Sequence, residues 1–273
     1  MVNEELEYLT TEEILQKEWN YYKKTPGKLS GYSSKNEIVK FFQQDNFFIV
    51  EKELWRDSEI KKKLLANRIK YLNKTEEELI DNDILVGFKK SGMYYGYSHF
   101  NPLIFKWFIE KYNVKKCFDP CGGWGHRLIA AQGLELYIYN DLSYHTACAC
   151  QDIANYFEME NVEWYNEDAK ECWPAYQFEF DSIFTCPPYF NLEHYECGDF
   201  KDYEEWSDML QMIWIQFNEL EMVKTLGIVL REDLFPSFMN DYTEKFEIPL
   251  HKSQHLLQNT NKKNKEYLYI WVK

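Results

Sequence analysis

The stretch from residue 116 to residue 141 constrains the fold more than any other. A short apolar run ends at Asp119, glycines follow at 122, 123 and 125, and a helical pattern runs from Arg127 to Gln132. Leu134-Glu135-Leu136-Tyr137-Ile138-Tyr139 then alternates like a strand and ends at Asn140-Asp141. Strand, loop, helix, strand is a βαβ unit, and such units build parallel sheets. A second unit follows, with a helix around Thr146 to Phe157, a strand Val162 to Tyr165 closing at Asp168, and a strand Asp181 to Thr185 ending at Cys186. A helix from Tyr203 to Leu220 leads to the strand Gly227 to Leu230. Lys245 to Leu250 and Tyr267 to Val272 alternate as the arms of a hairpin around a polar turn rich in Asn and Lys. Residues 98–273 therefore read as an α/β domain with a parallel sheet and a C-terminal β-hairpin, whose last strand is free to run antiparallel.

Residues 1–97 read as a small helical region. Thr10-Thr11-Glu12-Glu13, Ser34-Lys35-Asn36-Glu37 and Thr75-Glu76-Glu77-Glu78 each place a hydroxyl three residues before a carboxylate, the pattern of a capping box, and predict helix starts. From Ser58 onward, Ile60, Leu64, Leu65, Ile69 and Leu72 recur at helical spacing with lysines between them. Gly87, Gly92 and Gly96 punctuate an aromatic stretch, Met93 to Phe100, that reads as a connecting loop. Pro102 suits the first turn of a helix running to about Tyr112.

With 45% hydrophobic and 18% aromatic residues among 273, the chain buries a sizeable core. No apolar run approaches the ~18 residues that span a bilayer, and Met1 to Tyr8 is acidic where a signal peptide is basic and then apolar. A cytoplasmic protein without a membrane partner is expected. The seven cysteines include no CxxC pair, and Cys148-Ala-Cys150 suits packing better than metal, so no metal site is expected. The net charge of −14 is unevenly spread: residues 101–250 carry 27 acidic and 10 basic side chains, while residues 1–100 are near balance and residues 251–273 carry 5 basic and 1 acidic. A polyanion would be met by Lys61-Lys62-Lys63 with Arg68 and Lys70, or by Lys262, Lys263 and Lys265, although either run also suits a solvated helix face or loop tip.

The sharpest local feature is Phe118-Asp119-Pro120-Cys121-Gly122-Gly123-Trp124-Gly125-His126-Arg127, set between a strand and a helix. Its glycines let a ligand approach the backbone, and Asp141 and Asp168, at the ends of the next two strands, open onto the same crevice. Asp141 suits a ribose diol and Asp168 an adenine amine, a set that fits a nucleoside-bearing cofactor. No Lys-Ser or Lys-Thr follows, so this is not a phosphate-cradling G-x-x-x-x-G-K-[ST] loop. The second feature, Thr185-Cys186-Pro187-Pro188-Tyr189-Phe190, is a stiff extended segment at the end of the fourth strand, able to present a carbonyl and a flat ring to a planar substrate.

Over residues 98–273 the sequence resembles the S-adenosylmethionine-dependent methyltransferases that modify exocyclic amines of nucleic-acid bases, adenine N6 and cytosine N4. Asp119 to Gly125 resembles their cofactor loop, and Cys186-Pro187-Pro188-Tyr189 resembles their (Asp/Asn/Ser)-Pro-Pro-(Tyr/Phe/Trp) motif. The strings Gly123 to Leu128 and Thr185 to Glu193 are similar to those of phage and prophage DNA methylases. Ser98-His99-Phe100-Asn101-Pro102 resembles the segment that closes the methionine pocket, and the motif order is that of the gamma-like group.

The resemblance implies a Rossmann-like class I methyltransferase sheet and S-adenosylmethionine held by Phe100, Pro102, Asp119, Pro120, Cys121, Gly122, Gly123, Gly125, Asp141, Leu142, Asp168 and Ala169. It further implies that the Pro187 carbonyl and Cys186 accept the amine hydrogens while Tyr189, with Phe190 beside it, stacks on a flipped base. Two departures stand out. Cys186 replaces the usual Asp, Asn or Ser, and a thiol is a weak acceptor. The chain ends soon after the hairpin, so recognition is expected from residues 1–97, through Lys61, Lys62, Lys63 and Arg68, or from a partner subunit or second copy. DNA is the expected substrate. RNA or a protein amide is the alternative acceptor, and a catalytically weak substrate-binding subunit is the alternative role. A cytosine-C5-type nucleophile is set aside because that chemistry carries a Pro-Cys order, and around Cys186 the order is Cys-Pro. His126, His194 and Glu193 read as neighbours of the site, Tyr195, Trp206 and Trp214 as core or rim aromatics, and Asp199, Asp202, Glu204 and Glu205 as helix-start or surface charge.

Overall fold

The strands of the sheet alternate, along their length, between two apolar layers. In the computed structural model, which describes residues 7–8, 10–29, 36–44, 55–91, 100–190, 200–249 and 265–273, the strands are β1 (Lys116–Asp119), β2 (Leu136–Asn140), β3 (Val162–Tyr165), β4 (Ser182–Thr185), β5 (Thr225–Arg231), β6 (Glu244–Ile248) and β7 (Glu266–Val272). The helices are α1 (Glu12–Lys24), α2 (Glu37–Phe42), α3 (Ser58–Leu72), α4 (Asp81–Ser91), α5 (Pro102–Tyr112), α6 (His126–Ala130), α7 (Tyr144–Tyr156) and α8 (Tyr203–Glu219). Phe118, Ile138, Ile183 and Ile228 form one layer with Trp206, Leu210, Ile213 and Phe217 of α8. Tyr137 and Phe184 point the other way, against Phe105 and Phe108 of α5. Burial on both faces explains why these strands read as apolar runs, and each large side chain taken from water contributes roughly 1.5–3 kcal/mol.

The sheet has seven strands in the order β3-β2-β1-β4-β5-β7-β6. β1 to β5 pair in parallel, and β7 runs antiparallel to both β5 and β6. This is a Rossmann-like α/β fold, and the antiparallel last strand belongs to the terminal hairpin read from the sequence. The order reverses between β1 and β4, so the loops after these two adjacent strands flank the switch point where open α/β sheets bind ligands. β2 begins two residues later than its alternating pattern, because Leu134 closes a 3-10 turn over Ala131–Gly133 by donating to the Ala131 carbonyl.

The chain divides into two compact units, residues 1–18 with 36–98, and residues 19–35 with 99–273. Ring stacking and hydrogen bonds join residues 19–27 to the rest of the sheet unit: Trp19 stacks on Phe157 with centroids 4.2 Å apart, Lys106 Nζ donates to the carbonyls of Tyr22 and Lys23, and the Gly27 amide donates to Glu110. In the helical unit Leu15, Ile38, Val39, Trp55, Leu64, Ile84 and Phe88 are buried.

The three capping boxes meet different fates. The first slides by one residue, so that Thr11 Oγ1 accepts from the Ile14 amide ahead of α1. Of the second, Ser34 and Lys35 lie outside the described residues, and the N-cap Asn36 makes no side-chain capping bond. In the third, Glu78 does accept from the Thr75 amide, at 2.7 Å, but the box closes a turn, and α4 begins only at Asp81. α5 spans Pro102 to Tyr112 as read, with Asn101 capping the Leu103 amide. Among the described residues no helix is long and apolar enough to cross a membrane.

Candidate active site at the strand ends

The glycine loop leaves β1 in a conformation only its composition allows. Gly123 and Gly125 have φ of 62° and 93°, and a Cβ on Gly122 would lie 2.1 Å from the Tyr139 ring. From behind, the Tyr139 hydroxyl donates to the Gly123 carbonyl at 2.7 Å. From the crevice side, the Gly123 amide donates to Asp141, 2.8 Å away, which also accepts from the Ser143 amide. Burial, the largest influence on Asp141, raises its pKa above the ordinary aspartate value. Its carboxylate keeps acceptor capacity beyond these two bonds. Leu142 beside it is 50% exposed, and the half-buried Asp168 accepts from the Lys170 amide and pairs with Lys170 Nζ at 3.4 Å.

Asp119 is a different matter. It is fully buried, and its two oxygens are taken by Arg127 Nε at 2.5 Å, Arg127 Nη2, the Tyr137 hydroxyl at 2.7 Å and the Cys121 amide. It therefore acts on the loop through Arg127, whose guanidinium also reaches the Cys121 carbonyl and lies 5.1 Å from the centre of the Phe100 ring. Direct contact with a cofactor is not what this geometry gives Asp119. Arg127 stays charged: although burial opposes it, the Asp119 carboxylate beside it holds its pKa above the usual arginine value. His126 next to it is buried, and burial with the Arg127 charge pushes its pKa down to about 3, so it is neutral at physiological pH.

Asn140 escapes the sequence reading, in which it is only the residue before Asp141. Buried at the end of β2, it donates to the carbonyls of Pro120 and Glu167 and accepts from the Glu167 amide, while its own carbonyl takes the Gly122 amide. One side chain at the end of β2 thus ties together the loops after β1 and β3. A buried amide can satisfy several backbone groups at once, which is the signal that an Asn closing an apolar strand could have given.

Across the switch point, Cys186 is half-buried and Pro187 buried at the end of β4. The Pro188 carbonyl accepts from Trp206 Nε1 at 2.7 Å, and the Tyr189 hydroxyl donates to Glu266. Phe190 packs edge-on against Tyr203, which packs on Trp206. Trp206 is wholly buried, the core role read for it, and Asp202 caps α8 by accepting from the Glu205 amide. Asn191 to Asp199, with Glu193, His194 and Tyr195, lie outside the described residues, as do Ser98 and His99.

A Pro-Cys pair and a Glu-Asn-Val string do occur elsewhere, at Pro120-Cys121 and Glu160-Asn161-Val162. Neither sits where a C5-type nucleophile would be. Burial raises the Cys121 thiol well above its ordinary pKa, and Asn161 is spent on the carbonyls of Ala131 and Leu134.

In the helical unit Lys62 and Lys63 are exposed on α3, and Lys61 lies 4.6 Å from the centre of the Trp55 ring. Arg68 does not share that face. It is buried, 2% exposed, with Nε and Nη1 lacking hydrogen-bond partners, so its guanidinium is withdrawn from the surface where a phosphate contact was expected. Of the alternative tail, Lys265 pairs with Glu247 at 2.7 Å, and Lys262 and Lys263 lie outside the described residues.

The residues at the strand ends fit a nucleoside-bearing cofactor: a backbone cradle with positive φ, a carboxylate after β2, an exposed leucine beside it and a second carboxylate after β3. No protein-family model matches the chain, and no curated protein matches its sequence. Among solved structures, it is similar to human methyltransferase 10 domain containing protein, with 8% identity over 58% of this chain and 72% of that one, and a TM-score of 0.41. It is similar to TrmN from Thermus thermophilus, with 15% identity over 63% and 48% and a TM-score of 0.44. It is also similar to a dimethyladenosine transferase from Plasmodium falciparum, with 12% identity over 63% and 62% and a TM-score of 0.43. The chain thus spans less than two thirds of the length of the last two.

Proposed function

We propose that this protein transfers a methyl group from S-adenosylmethionine to the exocyclic amine of a base, adenine N6 or cytosine N4, in DNA. The observation that carries the reading is the placement of Cys186-Pro187-Pro188-Tyr189 at the end of β4, adjacent in the sheet to β1 and its glycine loop. The cofactor, when bound, supplies an electrophilic methyl group on its sulfonium. Asp141 would hold the ribose hydroxyls, Leu142 and Ala169 would flank the adenine, and Asp168 would accept from its amine. Phe100 and Pro102, at the start of α5, close the methionine end.

The acceptor amine is a poor nucleophile because its lone pair is delocalised into the ring. Hydrogen-bond acceptors that favour a pyramidal nitrogen correct this, and the Pro187 carbonyl is one that no substitution at 186 removes. The Cys186 thiol is the weaker second. Tyr189 would stack on the base and hold its amine toward the methyl group the cofactor would supply, and the amine proton would leave to solvent. Backbone contacts come from Lys61, Lys62 and Lys63, or from a partner subunit or second copy. A second reading, with RNA or a protein amide as acceptor, keeps the same cofactor; the 27 acidic against 10 basic side chains of residues 101–250 repel any polyanion and so favour the protein amide within it.

Methyl-labelled cofactor offered with DNA, RNA and protein pools tests the assignment. Label in DNA is expected; label in RNA or protein moves the acceptor, and label in none leaves a substrate-binding subunit. Cys186→Ser is expected to retain or raise the rate and Cys186→Ala to lose part of it. Complete loss in Cys186→Ala would replace the acceptor role with a covalent one.

A further inference from the structure

The loop after β4 is gripped at two consecutive residues, and both grips come from far along the chain. Trp206 Nε1 takes the Pro188 carbonyl, 18 positions away, at 2.7 Å. Glu266 takes the Tyr189 hydroxyl, 77 positions away. Glu266 opens β7, paired in register with Arg231 at the end of β5, and the neighbouring Lys265 carbonyl accepts from the Glu232 amide at 3.0 Å. Since β5 lies between β4 and β7, the tyrosine reaches over the end of β5 to a carboxylate whose backbone is anchored in the sheet. Tyr189 is partly buried and packs against the buried core cluster.

We propose that Glu266 and Trp206 are positioning residues for the Cys186-to-Tyr189 loop, Glu266 fixing the plane of the Tyr189 ring and Trp206 fixing the peptide before it. This rests on the methyl-transfer reading of the site. A tyrosine χ2 is a broad torsion, so packing alone leaves the ring plane loosely set. Anchoring the far end through a charge-assisted bond restricts it without touching the face on which a base would stack. The same anchor fixes the Pro187 carbonyl, because Pro187 lies between the β4 strand end and the bonded Pro188, and both proline φ angles are locked. Reacting groups must be held closely for transfer, so the loss is expected in turnover rather than in binding.

The test is a cycle of variants on the purified full chain, with the acceptor pool that takes label from wild type. Tyr189→Phe keeps the ring and removes its donor, and Glu266→Ala removes the acceptor. Each is expected to lower kcat about tenfold while KM and cofactor affinity stay at wild-type values, the size of one missing charge-assisted bond. The double variant is expected to be no slower than either single one, and Glu266→Gln, which keeps an acceptor oxygen, to recover most of the rate. Trp206→Phe, with its melting temperature measured alongside, is expected to lower kcat independently of the other two. Additive losses from Tyr189→Phe and Glu266→Ala, a loss confined to KM, or lower melting temperatures with unchanged kcat would overturn the inference. An active wild type with unaffected variants sinks this inference alone, whereas a wild type that labels no acceptor sinks the proposed function and this inference together.

Discussion

The two units treat buried charge in opposite ways. In the sheet unit, Asp119 and Arg127 are both buried and answer each other, with Tyr137, the Cys121 amide and the Cys121 carbonyl completing the set. In the helical unit, Glu18 is buried with one oxygen on the Glu37 amide at 2.7 Å and the other without a partner. The nearby Glu37 is engaged by Tyr8 and by Lys40 at 3.0 Å. Burial, reinforced by the Glu37 charge, pushes Glu18 up to about 7. Arg68 repeats the pattern with two unpartnered nitrogens. A closed network around the glycine loop gives a fixed geometry where a ligand is to be held; an open one leaves a protonation site.

Breaking the closed network has the largest expected effect. Asp119→Ala strands the buried Arg127 guanidinium, and denaturant unfolding of the sheet unit is expected to show a loss of about 3–5 kcal/mol. A loss below about 1 kcal/mol would mean that the pair is no better held than a surface bridge.

The units should also respond to pH with opposite sign. Glu18 in the folded helical unit keeps a proton up to about 7 that an unfolded carboxyl releases near 4.5, so this contribution to stability falls as pH rises through that window. His126 is held to about 3 against an ordinary 6.5, so the sheet unit loses stability as pH falls from 6.5 toward 3. Amide hydrogen exchange, corrected for its intrinsic pH dependence, is expected to show the helical unit better protected at the acid end and the sheet unit at the alkaline end. Glu18→Gln should abolish the first trend and stabilise the helical unit by up to about 3 kcal/mol at alkaline pH. Equal trends in both units would erase the contrast.

Asp141 sharpens it at the site. Asp141→Ala is expected to weaken S-adenosylmethionine binding by about 1–3 kcal/mol in calorimetry. Because its pKa is raised, wild-type affinity should begin to fall at a higher pH than an ordinary aspartate would allow. The smallest effect belongs to the lysines: neutralising Lys61, Lys62 and Lys63 together is expected to flatten the salt dependence of nucleic-acid binding, by about 0.9 in slope for each phosphate no longer neutralised, and to leave cofactor affinity alone. An unchanged slope would place the phosphate-binding surface elsewhere.

Much of the fold is legible where the signal is local. The strands, the α5 start at Pro102 and the Asp202 cap follow from periodicity, proline and short-range capping. The Thr75-to-Glu78 box shows the limit: its internal bond forms as read, yet nothing in four residues says whether a helix follows. Arg68 shows another: it lies one turn after the buried Leu64 on α3 and is buried with it, while Lys62 and Lys63 are exposed, so a positive charge grouped with the lysines by composition falls on the other face.

By itself, then, the sequence determined the alternation of strands and helices, the glycine loop that only glycines can form, and the stiff Cys-Pro-Pro-Tyr segment at a strand end. Those properties are written within a few consecutive residues. Tertiary structure alone decided that β4 lies beside β1, that Asn140 joins the loops after β1 and β3, that Asp119 is spent on Arg127, and that Tyr189 is tied to Glu266. Each of these depends on which distant segments share a neighbourhood, and a buried polar group takes whichever partner the packing brings within hydrogen-bond reach.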